Sequence, residues 1–433
     1  MVLQPPACSE TMRTVYLDIG PLVHLSGKGV LSGLEMSDVE QYVSPSGLGL
    51  VVQDGCIESI QESEILEEEY GSPTFEHNSD LEVVSLDGMA VIPGFVDGHT
   101  HLIWAGDRSR ELSWRRSGMT YQQISSMGGG IQDTVRSTHR ASDETLLRLG
   151  YQRMRTALRS GTTHMEAKSG YGLSTKSELK LLEIYNELQN MGHLPSLDIT
   201  WLGAHDIPTG KNSKEYLEEI LSEQLPSVLE QGFARSADVF CEPGWFDTEE
   251  SEQILRASRE GGLALRMHID EFKDGGGGEL AAELKVDTAD HAHYTSDDTR
   301  IEMKNANVLT GFLPGTPYSM GADWPNFNHV TEMNVPWSIA TDFNPNCKIL
   351  SPTFLGSLLV QRCSVDPLAA LIACTRNPSE ATPNPTGKVH GRIEVGAVAN
   401  FNVLTTPYWE SWCLQPSHAP IKSTCLNGEL VHH

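Results

Sequence analysis

His99 and His101 in the run GHTHL stand two residues apart. Side chains at i and i+2 of a strand leave the same face, so two imidazoles at this spacing can share one cation. Alone the pair says little, because most such pairs are surface or core histidines. Two further ligand types, His268 in MHID and Asp342 in ATDFNP, each end another β-rich run. The resulting His/His/His/Asp set converges only if the runs close into a ring. No lysine ends the fourth run, where Cys241 and Glu242 stand, so no carbamylated lysine bridges two metals there. The expectation is one divalent metal, and three imidazoles with a carboxylate suit zinc or iron better than magnesium or calcium. Such an ion activates water for hydrolysis near neutral pH.

Other residues near these run ends could do chemistry. Glu271 follows His268 by three residues and is placed to carry a proton between water and a departing nitrogen, or else to sit at a helix start. His205 and His291 end strands of their own and could hydrogen-bond a carbonyl as it gains charge. His293 shares the parity of His291, which is preferred because it lies nearer the strand. Arg108 offers a planar fork for a carboxylate, with ion pairing to Asp107 or Glu111 as the plainer reading. Tyr121 and Tyr171 could stack on a flat heterocycle or simply pack. Neither Gly128–Gly130 nor Gly275–Gly278 leads into the Lys-Ser/Thr of a phosphate loop.

These residues need elements to hold them. From about residue 97 to 344 a β-rich run, a polar loop and a helix-like stretch recur. The runs are MAVIPGFVDGHTHL, THMEAKSGYG, LDITWLGAH, ADVFCEPG, LALRMHID, DTADHAHY, VLTGFLPGTP and WSIATDFNP. Helical periodicity shows in TKSELKLLEIYNELQN, where Leu181, Tyr185 and Leu188 share a face and Ser177 is a candidate N-cap. Eight such units predict an α/β fold, a TIM (β/α)8 barrel, whose active site lies at the C-terminal ends of the strands. His99, Tyr171, His205, Glu242, His268, His291 and Asp342 all stand there. Alternating β segments before and after the barrel predict a small β-sandwich domain composed of both chain termini. The expected division is 1–90 and 386–433 for the sandwich and 91–385 for the barrel. Residues 23–46 and 65–80 read as loops or insertions.

The chain of 433 residues carries 58 acidic and 31 basic residues, a net charge of −27. Such a surface repels phosphate backbones and anionic lipid, so neither nucleic acid nor membrane is an expected partner. No stretch approaches the roughly 18 apolar residues of a membrane span. Eight scattered cysteines without a CxxC pair, and a start without a secretory pattern, fit a reduced cytoplasmic protein. An anionic substrate would need a local cation, and Arg108 is the candidate.

The segments PGFVDGHTHLIWAGDR, TYQQISSMGGGI, GTTHMEAKSGYGL, WLGAHDIP, VFCEPGWF, MHIDEF, DHAHY, PGTPYSMG and ATDFNP together resemble the imidazolonepropionase family of the amidohydrolase superfamily. They span residues 93–345 in that family's order. The resemblance implies hydrolysis of 4-imidazolone-5-propanoate to N-formimidoyl-L-glutamate, with one zinc or iron held by His99, His101, His268 and Asp342. It implies that Arg108, Tyr121, Tyr171, His205, Glu271 and Asn344 hold a small substrate bearing a carboxylate. Glu271, His291 and Asp342 would act at the scissile bond. The chain departs from the family after Pro345, where Asn346 and Cys347 stand in place of a glycine and a small hydroxyl residue. Were that glycine's backbone to meet the product, Asn346 would need its conformation. The readings weighed against this one are an aminohydrolase acting on another heterocycle and a metal-free homologue. The assembly entertained is a homodimer.

Overall fold

A computed structural model describes residues 13–73, 81–119, 123–124 and 127–432. Each of the eight expected runs contains a strand of one parallel sheet. The strands are Phe95–Asp97, Thr162–Lys168, Ser196–Ala204, Ser236–Cys241, Ala264–Ile269, Thr288–His291, Leu309–Phe312 and Trp337–Ile339, and neighbours in sequence are neighbours in the sheet. The strands are buried nearly throughout, as expected of a parallel sheet covered by helices.

The barrel closes just past the ends of its first and last strands. Thr100 and Phe343 form a parallel bridge; the His101 N–H donates to the Phe343 carbonyl at 2.9 Å and the Asp342 N–H to that of His99 at 3.0 Å. Beneath this bridge the buried Asp97 carboxylate accepts the backbone N–H of Thr341 at 2.9 Å and its hydroxyl at 2.6 Å. Burial nevertheless pushes the Asp97 carboxyl up to about 7.

Among the helices around the barrel, one start differs from the sequence reading. The helix Thr175–Gln189 starts after Ser174, not at Ser177, because the Glu178 carboxylate gathers the N–H groups of Gly170, Gly172 and Leu173 and fixes the turn ahead. Helices Ser213–Glu219 and Thr248–Glu260 open with capping boxes on Asn212 and Asp247.

Both termini build the sandwich. One sheet joins Arg13–Ile19, Leu48–Gln53, Cys56–Glu62 and Leu81–Ser85; the other brings Phe401–Leu404, Ile421–Leu426 and Glu429–His432 against Val91–Pro93, Leu22–Val23 and Val43–Ser44. Tyr16, Ile19, Leu50 and Val52 pack against Val91, Phe401 and Val403 in its core. Val91–Pro93, within the segment expected to be barrel, thus pairs in the sandwich, and the barrel starts past Gly94. A Cβ there would stand 2.4 Å from the Thr163 hydroxyl. Two stretches read as loops hold structure. Ser63–Tyr70 is a helix because Leu66 reaches a small core with Val15, Leu17 and Val51, and residues 23–46 include helical turns at Gly33–Ser37 and Val39–Tyr42.

Replacing Thr341 by valine keeps the shape but removes one donor from the buried Asp97. We expect this variant to lose about 1–3 kcal/mol of stability, measured by urea unfolding.

Candidate metal centre and active site

His99 and His101 leave the first strand, His268 lies within the fifth, and Asp342 follows the eighth; all four are at most 2% exposed. Their atoms converge. Asp342 Oδ1 stands 3.7 Å from His99 Nε2 and 3.6 Å from His101 Nε2, and His268 Nε2 is 3.4 Å from His101 Nε2. With metal bonds of about 2.1 Å, the edges of a tetrahedral donor set would be about 3.4 Å. His99 Nε2 is buried with no hydrogen-bond partner among the described residues, as an atom reserved for a metal would be. The spacing, burial and donor types therefore fit a divalent ion.

The far nitrogens of His99 and His268 are held, whereas His101 Nδ1 is buried with no hydrogen-bond partner among the described residues. His99 Nδ1 lies 2.7 Å from Asp290 Oδ2 and His268 Nδ1 lies 3.0 Å from Asp238 Oδ1. Each carboxylate takes the Nδ1–H and so turns Nε2 toward the centre as a lone pair. Burial, reinforced by neighbouring positive groups, pushes His99 and His101 well below the usual imidazole range and keeps them neutral.

Below the ligands lies a charge network that sequence reasoning missed. The fully buried Lys168 ammonium donates to Asp238 Oδ2 at 2.6 Å and Glu166 Oε1 at 2.9 Å. Burial would raise the Asp238 carboxyl, yet His268 and Lys168 hold it below the usual carboxylate range. Burial raises Asp290 to about 6, against the pull of Lys168 and Arg266. The available signal was charge inside β-rich runs: Glu166 and Lys168 share a strand face in HMEAK, and Asp238 and Asp290 sit in ADVF and TADH. A charge in a strand buried on both faces needs a partner.

Above the ligands opens a cavity of about 360 Å³ that also reaches Arg108, Tyr171, His205, Glu271 and His291. Glu271 Oε2 lies 3.5 Å from His291 Nε2. Desolvation, then the nearby Asp342 and Glu242 carboxylates, push the Glu271 carboxyl well above the usual carboxylate range. Burial pushes His291 well down. His291 and Ala292 both have positive φ, +66° and +46°. This breaks the strand alternation, so His293 turns into a side cavity of about 60 Å³ instead of the main one.

His205 stacks on His101 with ring centroids 4.9 Å apart and donates its Nδ1–H to the Gly170 carbonyl at 2.9 Å. Gly170 has φ +100°, and a Cβ there would stand 2.8 Å from His205 Nδ1. Tyr171 packs edge-on to His205 at 5.2 Å. Arg108 is buried in the wall and grips Glu111 in a bidentate pair, both contacts 2.9 Å, so the plainer sequence reading holds alongside its place at the cavity. The Gly130 N–H donates to the same Glu111 carboxylate at 2.8 Å. Tyr121 lies outside the described residues.

Asn344 reaches the cavity but is committed to its own turn. Its Oδ1 accepts the N–H groups of Asn346 and Cys347, and its Nδ2 donates to the Asp342 carbonyl. Asn346 is not in the left-handed region, so it does not imitate a glycine there; Cys347 is buried, with its Sγ 3.7 Å from the Thr341 carbonyl.

A profile of the amidohydrolase family matches residues 82–171. The chain is 38% identical to the imidazolonepropionase of Symbiobacterium thermophilum, covering 92% of this chain and 93% of that one. It is 36% identical to the imidazolonepropionase of Haloarcula marismortui, over 83% of each chain, and 32% identical to a probable human imidazolonepropionase, over 89% and 91%. Among solved structures, A. niger ochratoxinase superposes with a TM-score of 0.67 at 16% identity, over 97% of this chain and 96% of that one. Guanine deaminase from C. acetobutylicum does so with 0.67 at 14% identity, over 97% and 100%. At such identities these two share the fold.

Asp238→Asn should leave the fold intact while weakening metal binding about 10–100-fold. Competition with a graded series of chelators, read by metal analysis, measures this.

Proposed function

The chain belongs to the imidazolonepropionase family, and from that premise we propose how its residues open the ring of 4-imidazolone-5-propanoate to give N-formimidoyl-L-glutamate. The enzyme is a hydrolase acting on a cyclic C–N bond. One observation carries the roles: the cavity lined by His101, His268 and Asp342, with His99 grouped beside them, has a buried guanidinium, Arg108, in its wall.

His99, His101, His268 and Asp342 would hold a single zinc or iron, which when bound supplies Lewis-acid activation of water and of the ring carbonyl. Asp342 offers a carboxylate beside the attack site that can take the proton water gives up. The protonated Glu271 carboxyl delivers a proton to the ring nitrogen as the amide bond breaks. The neutral His291 imidazole donates to the carbonyl oxygen as its charge grows. Arg108 anchors the propionate, its fork aimed by Glu111, while Tyr171 and His205 wall the ring. A neutral heterocycle, the substrate of an aminohydrolase, carries no carboxylate for that guanidinium to bind. With this substrate the reaction would be a step of histidine breakdown, and the free cysteines among the described residues support a reducing compartment such as the cytoplasm. No helix among the described residues is long and apolar enough to cross a membrane.

Two variants test these roles. Arg108→Met, made with Glu111→Gln so that no buried carboxylate is left unpaired, should lower kcat/KM by about 10–150-fold, the equivalent of 1.5–3 kcal/mol for a charged hydrogen bond. Metal content, measured on the same sample, should stay at one equivalent. Glu271→Gln should retain metal and KM while kcat drops by about 10²–10⁴-fold, the usual contribution of a positioned general acid. A Glu271→Gln rate within threefold of the parent enzyme would move the acid role to another group.

A further inference from the structure

Glu271 does its work from a loop. The fifth strand ends at Ile269, Asp270 turns the chain at φ +51°, and no regular element resumes until the helix Gly277–Leu284. A carboxyl that must reach a ring nitrogen needs its backbone fixed from elsewhere. Asp270 secures the outer part of the loop, accepting the Gly275 N–H at 3.0 Å and the Thr295 hydroxyl at 2.6 Å. Glu242 secures the inner part. Its Oε2 accepts the Glu271 N–H at 2.9 Å and its Oε1 accepts the Phe272 N–H at 3.2 Å.

We propose that Glu242 is a positioning residue for the reaction, its carboxylate gripping two successive backbone N–H groups and so setting where the Glu271 carboxyl stands in the cavity. The inference rests on the proton-donor role given to Glu271 above. Three observations support it. Glu242 directly follows the fourth strand and is 1% exposed, so it is a rigid anchor. Its own backbone is locked in a tight turn, with its N–H donating to the Phe246 carbonyl at 3.1 Å and the Trp245 N–H donating to its carbonyl at 2.9 Å. The same turn presents Trp245, which stacks on Phe272 at 5.7 Å and 28°, so the two loops meet through both a carboxylate and an aromatic pair. A buried carboxylate is a costly way to fill this place, and an apolar residue would serve a purely structural contact better. Two acceptor oxygens spaced to match adjacent N–H groups serve alignment.

A double-mutant cycle tests the proposal. Glu242→Gln keeps the volume but sets an amide donor against one of the two N–H groups; Glu242→Ala removes both acceptors. With misplacement of about 1 Å costing up to about 10²-fold, Glu242→Gln should lower kcat about 10–100-fold, with KM and metal content within about threefold of the parent. In a Glu271→Gln background the same change should cost less than about threefold, because the group it positions no longer donates. Equal losses in both backgrounds, or losses carried by KM or metal content, would overturn the proposal. If Glu271→Gln alone left kcat unchanged, the donor role itself would fall and this inference with it. Should Glu242→Ala fail to fold, Glu242→Gln carries the cycle.

Discussion

The centre depends on the closure of the barrel between its first and last strands. The Thr100–Phe343 bridge draws the run that carries His99 and His101 against the run that carries Asp342, and Asp97 ties down Thr341 just below it. Were the sheet open at this seam, two imidazoles and the carboxylate would stand at opposite edges. The hydrogen bonds of the closure run through the ligand residues themselves, from Asp342 N–H to the His99 carbonyl and from His101 N–H to that of Phe343. Barrel integrity and metal geometry are therefore one property, and damage to either reaches the other.

Closing the barrel buries charge, and the interior is arranged around that cost. Asp238 and Asp290 would be expensive as isolated ions, so each meets both a ligand imidazole and the field of Lys168 or Arg266. Arg266 in turn donates to Asp198, which also takes a bidentate grip from Arg235. The result is a connected polar floor in which the His99 and His268 rings are oriented before metal arrives. Such a network is the main defence against the reorganisation that would otherwise weaken binding.

The chemistry above the floor needs groups of opposite character a few ångströms apart. A surface of net charge −27 repels an anionic substrate in general, and the buried Arg108 supplies a local exception. Desolvation and neighbouring carboxylates push the Glu271 carboxyl well up, whereas burial among imidazoles and near Lys168 pushes His291 well down. Neighbouring positions in one cavity thus acquire different proton-holding tasks from their surroundings. The left-handed backbone of His291, Asp270 and Asp342 lies at the same rim, where the strands end and side chains must be re-aimed.

The amino-acid sequence by itself determined the barrel and the identity of the candidate ligands, because both are local matters. Strand and helix follow from residue periodicity, and a ligand type at the end of each run needs only its own neighbours to be recognised. The Arg108–Glu111 pair was legible for the same reason, since three residues separate its members. The helix Ser63–Tyr70 was not, because it forms only when Leu66 finds Val15, Leu17 and Val51. Nor was the supporting floor. Lys168 meets Asp238 across 70 residues of sequence and His99 meets Asp290 across 191, and no local pattern pairs residues so far apart. Only the tertiary structure decided which buried carboxylates hold which imidazoles, that Asn344 is committed to its own turn, and that Glu242 grips the loop of Glu271. Each of these is a contact through space, set by how the barrel closes and not by what stands next in the chain.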